Sequence, residues 1–124
     1  MRTPAQRAGD DAEARVAAHL ETLGWRVLAR QLRVGRAEID LLALDPGPPP
    51  ALVIVEVRWR ARRDFGLAEE TVDGRKRARL HQAAFGLREA ATLPDGSPLP
   101  AAPFRFDLVA VEPGGRIRHH RNGA

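Results

Sequence analysis

Cysteine is absent from this 124-residue chain, which excludes disulfides and thiolate metal sites and fits a cytoplasmic setting. No apolar stretch approaches the roughly 20 residues that a membrane span requires, so no membrane partner is expected. The N-terminus, "MRTPAQRAGDDAEARV", lacks the apolar core of a signal peptide and gives no argument for export. There is no internal repeat, Gly-rich phosphate loop, serine-nucleophile motif or zinc-ligand spacing. Lysine is scarce. Of 20 basic residues only Lys76 is lysine, and the excess of Arg and Ala reads as GC-rich coding.

What is present describes one globular unit. Hydrophobic content of 44% and charged content of 29% are ordinary for a folded soluble domain, and the length suits a single domain over residues 1–124. A net charge of +4 with a pI near 11.1 is a moderate basic bias. It is compatible with a polyanionic partner, although many basic globular proteins bind none.

Periodicity predicts the elements. "DDAEARVAAHLETL" (10–23) reads as an amphipathic helix with Ala12, Val16, Leu20 and Leu23 at helical spacing, stopped by Gly24. "WRVLARQLRV" follows as a strand with Trp25, Val27 and Ala29 on one face, and "AEIDLLAL" as a second with Ile39, Leu41 and Ala43 alternating. After the stiff "DPGPPP" loop, "ALVIVEVRWR" is a strand covered on both faces. A helix capped by Thr71 or Asp73 runs to about Ala90, burying Leu80, Ala83, Ala84 and Leu87. "FRFDLVAVE" is another strand, and "RIRHH" a weak last one within a flexible basic tail from about residue 113. Three consecutive strands suggest a meander and the second helix a crossover, so an α/β domain with a mixed sheet is expected.

The informative residues are acids on apolar faces. Glu56 interrupts the aliphatic run of Leu52–Val55 and Val57, where an ionised carboxylate must be paired, protonated or bound to a metal. Side chains two apart on a strand lie about 6–7 Å apart on one face, so Glu56 pairs with Arg58, and Glu38 with Asp40. Glu13 falls inside the apolar arc of the first helix, and Lys76 faces inward on the second. Each acid taken singly is explained by salt bridges. Taken together they suggest more, because buried ion pairs are seldom a net gain over aliphatic packing. Clustered Asp and Glu without Cys or His suit Mg²⁺ or Mn²⁺. Such ions hold a phosphate oxygen, activate water and stabilise the leaving oxygen, which points to phosphodiester hydrolysis. His19 is expected on the polar side of its helix, His81 at a structural border, and His119 and His120 in the tail. Arg60, Arg62 and Arg63 are solvated charge or phosphate contacts.

The blocks "AEARVAAHLETLGWRVLARQLRVGRAEIDLLALD", "LVIVEVRWRARRDFG", "TVDGRKRARL" and "RFDLVAV" resemble the YraN family of small bacterial proteins over about residues 9–112. That family is grouped with the restriction-endonuclease-like, PD-(D/E)XK superfamily, which also contains Holliday junction resolvases. The resemblance implies an αβββαβ core, nucleic acid as partner and a divalent metal as cofactor. By position it implies that Glu13 is the first-helix acid, Asp40 the second-strand acid and Glu56 the first residue of the E-x-K signature. Lys76 falls where relatives carry a basic residue. Two departures stand out: Ala37 replaces the glycine of "GEID", and Arg58 replaces the signature lysine. Arg stays protonated and cannot act as a general base, but it can hold a scissile phosphate.

Three readings follow. One is a Mg²⁺- or Mn²⁺-dependent endonuclease acting on DNA, branched or damaged DNA included. In it, Glu13, Asp40 and Glu56 ligate the metal, Arg58 joins them in catalysis, and Lys76, Arg60, Arg62, Arg63, Arg75 and Arg77 contact nucleic acid. The second is a non-catalytic nucleic-acid-binding or protein-interaction module on the same fold, favoured by Arg58. The third is a structural adaptor. A homodimer is compatible with each.

Overall fold

The structure is a computed structural model describing residues 1–59 and 74–124. The proposed phosphate contacts Arg60, Arg62 and Arg63 and the helix caps Thr71 and Asp73 lie outside the described residues. The first helix, α1 (Pro4–Thr22), begins at Pro4 rather than at Asp10. Thr3 is its N-cap: the Gln6 amide donates to Thr3 Oγ1 at 3.1 Å, and the Thr3 amide to Gln6 Oε1 at 2.8 Å. With Pro4 in the first helical turn this is a capping box, legible in "TPAQ" and overlooked because the apolar periodicity starts later. Gly24, at φ +86°, turns the chain out of the helix.

Three strands follow as a meander: β1 (Arg26–Val34), β2 (Ala37–Asp45) and β3 (Ala51–Trp59). The second helix, α2 (Gly74–Ala90), crosses over to β4 (Phe104–Val111), and β5 (Ile117–His120) closes the sheet. The strand order is β1-β2-β3-β4-β5, with β3 and β4 parallel and the other neighbours antiparallel. This is the expected mixed sheet, with β5 added to the αβββαβ core.

Both faces of the sheet are covered. On one, Val16 and Leu20 of α1 pack with Trp25, Leu41, Ala43, Val53, Val55 and Val109. On the other, Leu80, Ala83, Ala84 and Leu87 of α2 pack with Ile39, Leu42, Ile54 and Leu108, which is the apolar side expected of α2. Among the described residues no helix is long and apolar enough to cross a membrane.

Two of the expected alternations break. Ala29 packs on the α2 side, away from Trp25 and Val27, because the β1–β2 register shifts between Val27 and Ala29. Ile39 also packs on the α2 side while Leu41 and Ala43 pack on the α1 side, so the facing of β2 changes at Asp40.

The segment from residue 113 is not a flexible tail. β5 pairs with β4 through Val109↔His119 and Val111↔Ile117, and Ala124 is buried with its amide donating to Phe106 O at 3.3 Å. Buried Asp107 accounts for this. It accepts from Arg105 Nε and Nη2 at 2.9 Å each and from the Asn122 amide at 3.1 Å, and it contacts His119 Nε2 at 2.8 Å. Arg105 Nη1 also reaches Asp45 at 3.0 Å, and Trp25 lies against both Arg105 and His119. His119 is therefore a core partner of an acid.

Burial pushes the Asp107 carboxyl up, but its hydrogen bonds with His119, Arg105 and the Asn122 amide outweigh that and hold it at about 2. A depressed folded value contributes stability that is present above the ordinary value of 3.8 and lost as pH falls through about 2. Asp107→Asn should cost about 3 kcal/mol at pH 7, as breaking a buried ion pair does. The difference from wild type should shrink toward pH 2. Urea denaturation across that range measures both, and faster amide exchange in β5 should accompany the loss.

Candidate active site

The β2–β3 ladder runs from Asp45↔Ala51 to Leu41↔Val55 and stops there. At the next residue the Asp40 side chain takes over: the Val57 amide donates to Asp40 Oδ2 at 2.8 Å. A carboxylate thus occupies the fork where the two strands separate, and it satisfies a backbone donor that the ladder no longer reaches.

Glu56 lies one residue beyond the last pair on β3 and is almost fully buried, at 1% exposure. Ile54, two residues back on the same face, packs toward α2, and Glu56 points the same way. There it meets two cations. Arg58 Nη1 stands 2.8 Å from Glu56 Oε1, and Lys76 of α2 forms an ion pair with the same oxygen. The expected inward placement of Lys76 is thus observed, and the simplest structural explanation of Glu56, an ion pair with Arg58, is part of the site. The other carboxylate oxygen, Oε2, is buried without a hydrogen-bond partner.

Glu13 is buried on α1 and likewise has one oxygen, Oε1, without a partner. Burial raises its pKa, a hydrogen bond from Gln31 and the charge of Arg30 oppose the rise, and Asp10 and Glu38 add to it. Asp40 senses both other acids. Burial first and the Glu56 charge second, with Glu13 contributing, lift its carboxyl from 3.8 to about 7 against the Val57 hydrogen bond and Lys76.

Glu38, expected on the face of Asp40, instead stays exposed and pairs with Arg33 at 3.6 Å. Arg75, Arg77 and Arg79 are exposed around Lys76 in the first turns of α2, where the first turn carries no acid. His81 stacks on Phe106 with ring centroids 3.9 Å apart, which is a packing role. The sequence reading passed over Gln31 and Asp10 beside Glu13, and nothing in their local pattern marks them. It also passed over Asp107, although an acid inside "FDLVAV" is the same signal that singled out Glu56.

The donor chemistry suits a hard divalent cation: carboxylate oxygens only, two of them buried and unpartnered, around an acid whose ionisation is suppressed. Among the described residues, however, no three His, Cys, Asp or Glu side chains come close enough to enclose an ion. The set is therefore open.

The five-stranded mixed sheet between two helices is an α/β domain whose first six elements follow the order αβββαβ. Residues 12–111 match the uncharacterised protein family UPF0102. A UPF0102 protein of Roseiflexus castenholzii is 41% identical over 112 residues, covering 90% of this chain and 84% of the relative. One from Symbiobacterium thermophilum is 41% identical over 116 residues, covering 91% and 90%. One from Halorhodospira halophila is 48% identical over 109 residues, covering 88% and 79%. The chain belongs to the UPF0102, or YraN, family. These names state no activity, so the chemistry must be argued from the site.

The raised Asp40 value has a measurable consequence. The folded protein binds this proton more tightly than the unfolded chain does, so the group weakens the fold as pH rises from 3.8 through about 7. Asp40→Asn keeps an acceptor for the Val57 amide and removes the charge. It should stabilise the protein at pH 8 by on the order of 2–4 kcal/mol and have little effect below pH 4. Paired denaturation curves at the two pH values test this.

Proposed function

We propose that this protein is a divalent-metal-dependent endonuclease that hydrolyses phosphodiester bonds in nucleic acid, with DNA as the substrate class, branched or damaged DNA included. The observation that carries the proposal is the strand fork itself, where Asp40 accepts from the Val57 amide beside Glu56 and where Glu56 and Glu13 each keep a buried oxygen without a partner; burial and the neighbouring acids raise the Asp40 carboxyl accordingly. Such carboxylate crowding opposes folding and is relieved by a bound cation.

In this reading Asp40, Glu56 and Glu13 hold Mg²⁺ or Mn²⁺. The ion, when bound, polarises a phosphate oxygen and lowers the pKa of water. The chain's own cations complete the site. Arg58 donates N–H groups to non-bridging phosphate oxygens and, being permanently protonated, takes no proton. Lys76 reaches Glu56 from α2, so the chain's only lysine stands beside the signature acid although position 58 is arginine. Arg75 and Arg77 continue the positive surface along α2 and supply phosphate contacts that position a strand without reading its sequence.

A non-catalytic nucleic-acid-binding module is the second reading. It is favoured by the state of Glu56 Oε1, which Arg58 and Lys76 already neutralise together.

Duplex, single-stranded and branched DNA incubated with Mg²⁺ or Mn²⁺, against an EDTA control, decide between the readings. Metal-dependent cleavage is expected; Glu56→Gln should abolish it and leave binding near wild type, whereas Arg58→Lys should retain or raise it. Inactivity of both the wild type and Arg58→Lys with every metal, with DNA still bound, would establish the binding module. In either case log affinity should fall in proportion to log salt, with a slope reduced by about 1 for each contacting Arg removed. Filter binding of Arg75→Ala and Arg77→Ala measures that slope.

A further inference from the structure

Trp59 ends β3 with its side chain about half exposed, at 49%, although residues 51–57 of that strand are all buried. The other tryptophan, Trp25, is buried against Arg105 and His119. A ring of this size left in water forgoes the burial that would stabilise the fold. Val53, Val55 and Val57 pack on the α1 side at alternate positions, and Trp59 continues that row.

There it lines a cavity of about 560 Å³, within the size range of small-molecule sites. Ala8, Asp11 and Arg15 of α1 form one wall, and Glu112 and Gly115 of the β4–β5 turn form another. The Arg15 guanidinium lies against Gly115, where a Cβ would come within 2.6 Å of Nη1. Glu112 pairs with Arg118 at 3.3 Å, whereas among the described residues Arg15 forms no ion pair. Asp11 and Glu112 are therefore offset by Arg15 and Arg118, two acids against two cations, a balance that suits an uncharged group better than an anion. Arg15 offers N–H donors and Asp11 offers carboxylate acceptors. A flat, uncharged ring with acceptors and donors on its edge is a nucleobase, and an open indole is a stacking platform for one.

Position ties the cavity to the fork. Trp59 lies three residues beyond Glu56, about 10 Å along β3, which is the length of about three stacked nucleotides. Asp11 and Arg15 likewise flank Glu13 on α1. In a duplex each base is covered by its stacked neighbours, so the indole can take only an unpaired or extruded base.

We propose that the Trp59 cavity is a subsite for one unpaired nucleobase of the substrate strand, stacked on the indole and hydrogen-bonded at its edge by Arg15 and Asp11. The proposal rests on the nuclease reading and narrows its substrate class to nucleic acid with a single-stranded or extruded base near the cut.

Tryptophan fluorescence of the full chain in EDTA tests it, because of the two indoles only Trp59 is open to a stacked base. A single-stranded thymidine oligonucleotide should quench the emission, and a blunt duplex of equal length should not. Trp59→Ala should lower the ratio of single-strand to duplex affinity about tenfold, the scale of one base stacked on an aromatic ring, and Trp59→Phe should restore most of it. No quenching by the single strand, equal quenching by both forms, or an unchanged ratio in folded Trp59→Ala overturns the proposal. If Trp59→Ala does not fold, the wild-type quenching and the Trp59→Phe ratio decide by the same criteria. Metal-dependent cleavage by the wild type leaves the nuclease reading standing whatever the quenching shows. A wild type that binds neither form, and cleaves neither when metal is supplied, defeats that reading and the proposal with it.

Discussion

A carboxylate at 1% exposure in an aliphatic strand is the constraint on which this molecule is built. Glu56 is tolerable only if cations come to it, and no single element provides enough. Arg58 comes from its own strand and Lys76 from α2, which couples the crossover helix to the strand end by charge as well as by Leu80 and Leu87. Asp40 is drawn into the same problem. By capping the Val57 amide it allows β2 to leave β3, and by standing near Glu56 it inherits a charge that it cannot disperse. The fork in the sheet and the electrostatic stress are one feature.

The molecule solves the problem of buried acid in two opposite ways. Asp107 is surrounded by Arg105, His119 and the Asn122 amide, and its carboxyl falls to about 2. That network joins the end of β2, β4, β5 and the turn after β5. At the fork, Glu13 and Glu56 each keep an unpartnered oxygen, and Asp40 rises to about 7. The opposite shifts of Asp107 and Asp40 follow from their partners: cations and amides around the first, other carboxylates around the second. The loss of stability at the fork is the usual accompaniment of a binding or catalytic centre.

Legibility followed physical range. The helices, the meander, the crossover and the inward placement of Glu13, Glu56 and Lys76 rest on periodicities of 3.6 and 2, which are local, and each was readable along the chain. The resemblance in "AEID", "VEVR" and "DGRKRARL" added positions for the acids that periodicity alone would have left as isolated oddities. The start of α1 at Thr3 was equally local. Its signal is the capping box of Thr3 and Gln6, which lies ahead of the apolar spacing.

The rest depends on distances between elements. Alternation along β2 gives Ile39 and Leu41 one face, and only the change at Asp40, set by partners on β1 and β3, puts them on opposite sides. The basic C-terminal segment looks solvated in one dimension, yet Asp107 and β4 give it hydrogen bonds and a place in the sheet. The left-handed Gln31 and its hydrogen bond to Asp10 have no local signature, because a strained backbone is fixed by what surrounds it. The sequence by itself determined the elements, the two covered faces and the inward placement of Glu13 and Glu56. Tertiary structure alone decided which acids are fully paired and which keep an oxygen without a partner, because charge balance at a buried point is a sum over every element that reaches it.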